Sequence, residues 1–411
     1  MQILKKIKNN SDYKRLFENF ISLSILQGLN YILPLVTFPY LVRVLGVEKF
    51  GLLSFATATI AYFQILTDYG FNLSATREVA IYRDNKEKLQ EIFGSVMIIK
   101  FGLLLVSLIL LSIVVFSFNK FRQDWLVYYL SFGMVLGQVL FPVWFFQGME
   151  RMRYITILNV VAKGIFTIAI FVFVKENDDL IWVPLLSSLG YIITGIISVS
   201  LIIFKYDVNI NFISIKNLTE QLKNGWYLFV STVGTNLYRN FNIIILGFFT
   251  NTTIVGYYAI SEKLLKAIQG LQIPIGQTLY PYIANKFKKQ GVLKAINNIF
   301  KYSILAFIFY CIIFILTFIF AKNIIFIISG DILINAINDL KIFSIVIVFG
   351  GLNYYFGILG IVSLGYGKYF SKAVIISGFF NIIIAPFLSM FLKDSGAALS
   401  LVFSEGILLF L

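Results

Sequence analysis

The sequence lacks histidine altogether and has a single cysteine, Cys311, among 411 residues. One thiol cannot form an internal disulfide, and the histidine and cysteine ligands of a typical zinc site are missing. The sequence also contains no glycine-rich phosphate loop, no nucleophile beside a base and no cluster of metal ligands. These absences argue against a metalloenzyme, a hydrolase with a catalytic triad and a disulfide-stabilised secreted protein.

Charged residues are scarce as well, at 13% of the chain, whereas 59% of residues are hydrophobic and the mean hydropathy is +0.85. Soluble domains carry roughly 25% charged residues, so this composition predicts an all-α membrane protein with many spans. The net charge is +14, which in a soluble protein would suggest nucleic acid as a partner. Here most Lys and Arg residues fall in loops on one side, as the positive-inside rule requires, and we expect no nucleic-acid partner.

A helix needs about 17 to 25 apolar residues to cross a bilayer, and the sequence contains twelve such runs. The basic N-terminus precedes a run that is too long for a signal peptide, so we expect it to be retained. The distribution of Lys and Arg places both termini in the cytoplasm. The predicted spans are 18–42, 51–72, 93–118, 125–147, 154–174, 181–204, 225–250, 254–284, 302–321, 340–364, 370–392 and 395–411.

The twelve spans divide into two halves of six. Shifting the chain by 205 residues places Gly51 on Gly256, and shifting it by 217 places Gly148 on Gly365. The pattern indicates a parallel repeat with an N-terminal bundle (1–204), a cytoplasmic amphipathic linker (205–224) and a C-terminal bundle (225–411). In such repeats the substrate site lies between the halves. The loops are too short for a folded catalytic domain outside the membrane, so we expect a protein that is not an enzyme.

Ionisable residues inside the predicted spans are candidates for function, because each costs at least about 2.5 to 3.5 kcal/mol at a helix centre. Arg239 lies deep in the seventh span beside Asn236, Asn240 and Asn242. It is either a cation for an anionic headgroup or the structural partner of a carboxylate. Lys163, in the middle of the fifth span, presents the same two alternatives.

The eighth span carries Glu262, Lys263 and Lys266. Glu262 and Lys266 stand four residues apart with the glutamate first, which favours an intrahelical pair and leaves Lys263 as the net positive charge. Pairing is the alternative to a cavity role for this group. Lys100, nearer a span end, is expected to extend its amino group to the membrane surface.

Two prolines and one carboxylate make the first two spans unusual. The backbone groups that Pro34 and Pro39 leave unpaired are tolerated at membrane depth only against protein or water, which predicts a cavity wall. Asp68 either pairs with Arg77 or binds the proton or Na⁺ that couples to transport, since no histidine is available. Arg43 and Glu48 at the outer end are gating candidates or merely solvated.

The sequence resembles the O-antigen flippases of the polysaccharide exporter branch of the multidrug/oligosaccharidyl-lipid/polysaccharide superfamily. The likeness covers essentially the whole chain and is strongest in the first ninety residues. The residues that carry it are Pro34, Pro39, Arg43, Gly46, Glu48, Gly51, Asp68, Ser74, Arg77 and Glu78, then Phe146, Gln147 and Gly148, then Leu279, Tyr280 and Pro281.

The resemblance implies a V-shaped pair of six-helix bundles in the bacterial inner membrane. Its substrate would be an oligosaccharide repeat unit on undecaprenyl pyrophosphate, moved from the cytoplasmic to the periplasmic leaflet. Other O-antigen assembly proteins are possible partners, and no cofactor is implied beyond a coupling H⁺ or Na⁺.

In this interpretation Arg239, Lys263, Lys266 and Lys163, with Asn236 and Asn240, bind the headgroup. Asp68 or Glu262 takes the coupling ion, and Arg43, Gly46, Glu48, Gly51 and Arg77 form a gate or family motif. The alternatives are a drug/cation antiporter of the same superfamily, which should have excess carboxylate in its cavity, and an O-antigen polymerase, which should have a large periplasmic loop. A lipid II flippase fits the opening motif less well.

Overall fold

The structure of the chain is a computed structural model that describes residues 11–209, 214–272, 279–280, 283 and 292–411. The side chains of some residues on the described helices, those of 234–239 among them, lie outside the described set. All regular structure in the described ranges is helical. In chain order the helices are α1 (Ser11–Asp68), α2 (Phe71–Ile81), α3 (Lys86–Ser117), α4 (Asn119–Gln123), α5 (Trp125–Leu140), α6 (Val143–Gly148), α7 (Met152–Phe173), a 3₁₀ turn (Asn177–Ile181), α8 (Trp182–Tyr206), α9 (Ile215–Phe249), α10 (Thr252–Gly270), α11 (Val292–Ile319), α12 (Ala321–Ser329), α13 (Ile334–Asn353), a π-helix (Tyr354–Val362) and α14 (Gly367–Phe410).

Seven helices in the described part of the chain are long and apolar enough to cross a membrane, or eight if the bent pair Ser303–Ile319 and Ala321–Ser329 forms one span. A helical protein with several membrane spans is therefore confirmed, but the predicted number of twelve is not. Two of the seven stretches, Leu33–Ile81 and Gly367–Phe410, have 49 and 44 residues. At 1.5 Å per residue, each exceeds twice the roughly 30 Å of a hydrocarbon core.

Backbone breaks divide both long stretches, and Leu33–Ile81 is also interrupted between α1 and α2 by Tyr69 (φ 47°) and Gly70 (φ 77°). In α1 the break is at Gly46 (φ 71°, ψ 169°), and in α14 it is at Lys393 (φ 52°, ψ −128°). The helix of α1 continues through Pro34 and Pro39 and stops only at Gly46, because a residue without Cβ adopts a positive φ at no steric cost. Lys393 has a Cβ and adopts the same region, which is uncommon for a non-glycine residue.

The chain separates into two compact units. Unit 1 comprises Met1–Thr37 and Ala56–Val233, and unit 2 comprises Phe38–Phe55 and Gly234–Leu411. Helix α1 therefore contributes to unit 1, then to unit 2 around its break, and then to unit 1 again. Helix α9 passes from unit 1 to unit 2 at Val233.

Unit 1 has an aromatic core. Phe93 lies with its ring centroid 6.0 Å from that of Trp144 and 5.8 Å from that of Phe145, and all three are fully buried. Gly148, at the end of the same short helix α6, packs against α2, where an added Cβ would lie 2.6 Å from the Cβ of Val79. The Phe-Gln-Gly motif at 146–148 is thus a packing element of this unit.

Unit 2 contains a close helix contact made by two glycines. A Cβ on Gly51 would lie 1.9 Å from the carbonyl oxygen of Thr252, and a Cβ on Gly256 would lie 2.2 Å from that of Val47. The 205-residue shift that pairs Gly51 with Gly256 also pairs Val47 with Thr252. The contact is therefore reciprocal, as in an interface around a two-fold axis, and it supports the predicted internal repeat.

The same shift places the break of α1 beside the start of α10. Gly46 corresponds to Asn251, whose side-chain Oδ1 accepts a hydrogen bond from the amide of Ile254 at 2.9 Å and caps α10. The segment of α1 after its break and helix α10 thus begin at positions that the 205-residue shift aligns. Small residues let helices in a membrane approach closely, and here the approach occurs at corresponding positions of the repeat.

The glycine contact leads to a stability prediction. Gly51→Leu and Gly256→Leu should each lower the thermal unfolding midpoint of the purified protein or prevent its accumulation in membranes, because overpacking typically costs ~1–3 kcal/mol. Gly102→Leu is the matched control, since a Cβ there meets nothing within 4 Å. Unfolding midpoints that are equal for Gly256→Leu and Gly102→Leu would contradict the contact.

Candidate functional site

A buried pair of opposite charges lies in unit 1. Lys100, on α3, is only 1% exposed, and it interacts electrostatically with Asp68, the last residue of α1. The Oδ1 atom of Asp68 is buried and has no hydrogen-bond partner among the described residues. The expectation that Lys100 reaches the membrane surface is therefore wrong, because α3 turns this residue into the helix bundle towards a carboxylate.

The residue that the sequence suggested as the partner of Asp68, Arg77, is exposed and lines a groove instead. The groove has a volume of about 680 Å³ and is lined also by Lys88 and Glu91, which form an ion pair of 2.8 Å. Arg77 stands on α2 at the end of this groove, and the cation beside Asp68 is Lys100. A role of Arg77 in gating stays a prediction.

The neighbour of Arg77, Glu78, joins α2 to the start of α9. Its carboxylate accepts hydrogen bonds from Gln221 Nε2 at 2.5 Å and from Asn224 Nδ2 at 2.7 Å. No local pattern in the sequence indicates these two amides, since they lie more than 140 residues away. This contact ties the segment before the seventh predicted span to the helix bundle of unit 1.

Lys163 lines a cavity of about 260 Å³ inside unit 1. Polar groups on α7 and α8 share the wall with it, among them Asn159, Tyr191 and Thr194, and α1 contributes Pro34. Pro34 thus lies at a cavity wall, as the prolines of the first span suggested. An ammonium group with amide and hydroxyl neighbours is suited to an anionic or polyhydroxylated group.

The predicted charges of the eighth span lie on α10 in unit 2. Glu262 is buried and forms an ion pair of 2.9 Å with Lys266, as the spacing predicted. The Nζ of Lys263 lies 4.7 Å from the ring centroid of Phe50 and 5.4 Å from that of Phe38. Aromatic faces attract an ammonium group without neutralising it, so the three charges leave one net positive charge.

The remaining headgroup candidates are on α9. Asn240 is half-buried, whereas the side chains of Arg239 and Asn236 lie outside the described residues. The next polar residue, Asn242, is buried and donates from Nδ2 to the carbonyl of Ala397 at 2.9 Å. Asn381 Nδ2 donates in turn to Asn242 Oδ1 at 3.0 Å, so Asn242 belongs to the packing of unit 2.

The guanidinium of Arg43 donates hydrogen bonds to the end of a helix. Its Nε donates to the carbonyl of Ile328 at 3.2 Å, and its Nη2 donates to that of Ile327. These are carbonyls of the last turn of α12, which ends at Gly330 with a φ of 80°. A cation at the C-terminus of a helix satisfies unpaired carbonyls and complements the helix dipole.

Of the other members of the opening motif, the two glycines have structural roles and the glutamate is exposed. Gly46 forms the break of α1 and Gly51 the close contact with α10, so both have a structural reason in unit 2. Glu48 is exposed. The gating role of these positions stays a prediction.

Sequence reasoning missed two buried carboxylates of unit 2. Asp339 is fully buried on α13, and Asp394, at 4% exposure, follows the break of α14. The predicted tenth span began at residue 340 and the predicted last two spans were separated at 393–394, so both residues were counted as loop. Hydropathy shows where an apolar run begins, but it does not show that the helix itself can begin before that run.

Comparison with known proteins places these features in a family. The sequence model of the family described as "Polysaccharide biosynthesis protein" matches residues 16–287. A protein of Escherichia coli K12 named "Putative O-antigen transporter" is 31% identical over 399 residues, which cover 96% of this chain and 95% of that protein. The chain belongs to this family. A protein of the same name from Shigella dysenteriae is 31% identical over 269 residues, 65% of this chain and 67% of that protein.

Solved structures show that the family member has a known membrane fold. The inward closed conformation of the lipid II flippase MurJ aligns with a TM-score of 0.72 at 15% identity, over 95% of this chain and 86% of that chain. An inward-facing multidrug resistance MATE transporter of the MOP superfamily aligns with a TM-score of 0.64 at 12% identity, over 92% and 96%. The predicted resemblance to a family of polysaccharide and O-antigen transport proteins is confirmed, and the solved structures show that the chain shares the fold of these transporters.

The buried pair of unit 1 leads to a second prediction. Lys100→Met or Asp68→Asn alone should destabilise the purified protein by about 1–3 kcal/mol, because each leaves a buried polar group with one compensating neighbour fewer. The double substitution should cost clearly less than the sum of the two. Denaturant or thermal unfolding of the three variants measures the coupling between the residues.

The exposed pair Lys88 and Glu91 is the control for this cycle, with an expected coupling of about 0–1 kcal/mol. If the costs of the Asp68 and Lys100 substitutions simply add in the double variant, the two charges do not depend on each other.

Proposed function

We propose that this family member is a flippase for lipid-linked oligosaccharides of the O-antigen class. The observation that carries the proposal is the similarity to an O-antigen transporter over nearly the full length of both chains. The substrate class is a repeat unit on undecaprenyl pyrophosphate, and the direction is from the cytoplasmic to the periplasmic leaflet of the bacterial inner membrane.

The charges within the helices support this substrate. A diphosphate with attached sugars cannot enter hydrocarbon unaided, and Lys or Arg side chains are the groups that compensate phosphate charge. Lys163 lines a cavity with several amide and hydroxyl groups in its wall, and Lys263 rests on two aromatic rings. We assign Lys163, Lys263, Lys266 and Arg239 to the headgroup, with Asn236 and Asn240 as hydrogen-bonding neighbours.

The architecture in this proposal is twelve helices in two bundles of six, with residues 1–204 and 225–411 as the halves and 205–224 as a cytoplasmic linker. The reciprocal contact of Gly51 and Gly256 supports the repeat on which it depends. Both termini are cytoplasmic. Alternating access between the halves moves the headgroup while the polyprenyl tail stays in lipid.

In this proposal a buried carboxylate takes the coupling ion. Asp68 is a carboxylate beside a buried cation, and protonation of Asp68 would break its interaction with Lys100. Glu262 is held by Lys266 at 2.9 Å and would have to release that partner. We therefore favour Asp68 over Glu262 as the residue that takes H⁺ or Na⁺.

A test of the function is deletion of the gene in its native host, followed by analysis of lipid-linked intermediates. Repeat units should accumulate on the cytoplasmic leaflet, and the full-length gene should restore O-antigen export. Accumulation of single repeat units on the periplasmic leaflet would instead indicate a polymerase. Unchanged export with loss of drug resistance would indicate an antiporter.

The headgroup assignment leads to a third prediction. Lys163→Met and Lys263→Gln should each reduce export by roughly 10- to 100-fold at normal protein levels, because a hydrogen bond to a charged group contributes about 1.5–3 kcal/mol. Export is measured as surface O-antigen per amount of transporter in the membrane.

The matched control is Lys175→Gln, which removes an exposed lysine just after α7 and should leave export unchanged. Export at the wild-type level in both Lys163→Met and Lys263→Gln would remove these residues from the headgroup site.

A further inference from the structure

Two carboxylates in the interior of unit 2 are close together and incompletely hydrogen-bonded. Ser395 Oγ donates to Asp339 Oδ1 at 3.1 Å, and Asp394 precedes this serine in the chain. The two carboxylates interact electrostatically. Asp339 Oδ2 and Asp394 Oδ2 are both buried without a hydrogen-bond partner among the described residues.

The environments of the two carboxylates differ. Asp394 begins the second segment of α14 after the break at Lys393, and Asn335 of α13 lies beside its carboxylate. A helix N-terminus of this kind stabilises a negative charge. Asp339 receives only the hydroxyl of Ser395. Asp394 is therefore the better place for a negative charge and Asp339 the worse one.

The neighbouring helices bring no cation into contact with Asp339 in the described part of the chain. From α10 the site is faced by the buried hydroxyl of Tyr258, which also lacks a hydrogen-bond partner, and by Glu262, which Lys266 holds. Lys341, on α13 itself, directs its Nζ to the ring of Phe318. Lys393, exposed at the break of α14, interacts electrostatically with Asp394, the carboxylate next to it in the chain. Other titratable side chains on the surrounding elements include Lys322 (exposed), Tyr310 (buried) and Cys311 (half-buried).

Two carboxylates side by side in a low-dielectric interior cannot both remain ionised without a compensating cation. We propose that Asp339 and Asp394 form a proton-binding site in which Asp339 carries one proton and shares it with Asp394. The proton removes the repulsion between the carboxylates and supplies a donor for their unpaired oxygens. Nothing is oxidised or reduced, since the proton is exchanged with water.

The site gives a structural route from proton binding to helix packing. Loss of the proton leaves two negative charges between α13 and the second segment of α14, which starts at the backbone break of Lys393. Repulsion there favours separation of the two helices. A role of this step in transport rests on the proposed function, whereas proton binding by the pair does not.

Infrared spectroscopy of the full-length protein in lipid nanodiscs tests the proposal, with pH as the variable and the carbonyl stretch of protonated carboxyl groups as the signal. The wild type should show such a band at pH 7. Asp339→Asn should remove one carboxyl group from it, and Asp331→Asn, at an exposed position after α12, should leave it unchanged. In transport assays Asp339→Asn should be insensitive to pH where the wild type is sensitive.

A second variant keeps the test decisive if Asp339→Asn does not fold. Asp394→Asn removes the neighbouring negative charge, so Asp339 should lose its proton at a pH lower by about one unit or more.

A wild-type spectrum without the band at pH 7, or a band that Asp339→Asn leaves intact, would overturn the proposal. So would a rise in melting temperature with Na⁺, but not with K⁺, that Asp339→Asn abolishes, because the pair would then hold a metal cation. The spectrum does not depend on export, so the proton site and the flippase function can fail independently.

Discussion

The interior of this protein is governed by the absence of water as a partner for polar groups. In hydrocarbon every charge and every unpaired backbone group must be satisfied by the protein itself. Asp68 and Lys100 answer this requirement in unit 1, and Glu262 and Lys266 answer it in unit 2. Arg43 does the same for the carbonyls at the end of α12.

Two lysines in the described part of the chain point to transport. Lys263 rests on the faces of Phe38 and Phe50, which attract its charge but do not cancel it. Lys163 lines a cavity whose mainly apolar wall also carries the side chains of Asn159, Tyr191 and Thr194. Burying such charges in a membrane protein costs desolvation free energy, and the binding of an anionic headgroup during transport accounts for their presence.

How much could be predicted from the sequence depends on the distance over which each interaction acts. The pair of Glu262 and Lys266 follows from a four-residue spacing, and the family follows from motifs read along the chain. The partner of Lys100, in contrast, is set by how α3 packs against the end of α1. The target of Arg43 lies 285 residues away, where no local pattern can indicate it.

The same reasoning explains one error of position. Asp339 and Asp394 were assigned to loops because apolar runs define where a span is hydrophobic and not where a helix begins. The break at Gly46, in contrast, lies in the predicted turn between the first two spans, where a positive φ is free of steric cost. Twelve spans remained a prediction because two of the long helical stretches are interrupted at only a few residues.

The assignment of Phe38–Phe55 to unit 2 has a practical consequence for dissection of the molecule. A fragment expressed from the linker onward would lack the rings beneath Lys263, the carbonyl at Val47 that Gly256 approaches and the guanidinium that caps α12. Complementation between separately produced halves would therefore have to restore these contacts in trans. A second copy of Phe38–Phe55, fused ahead of the fragment that starts at the linker, would supply these contacts within one chain.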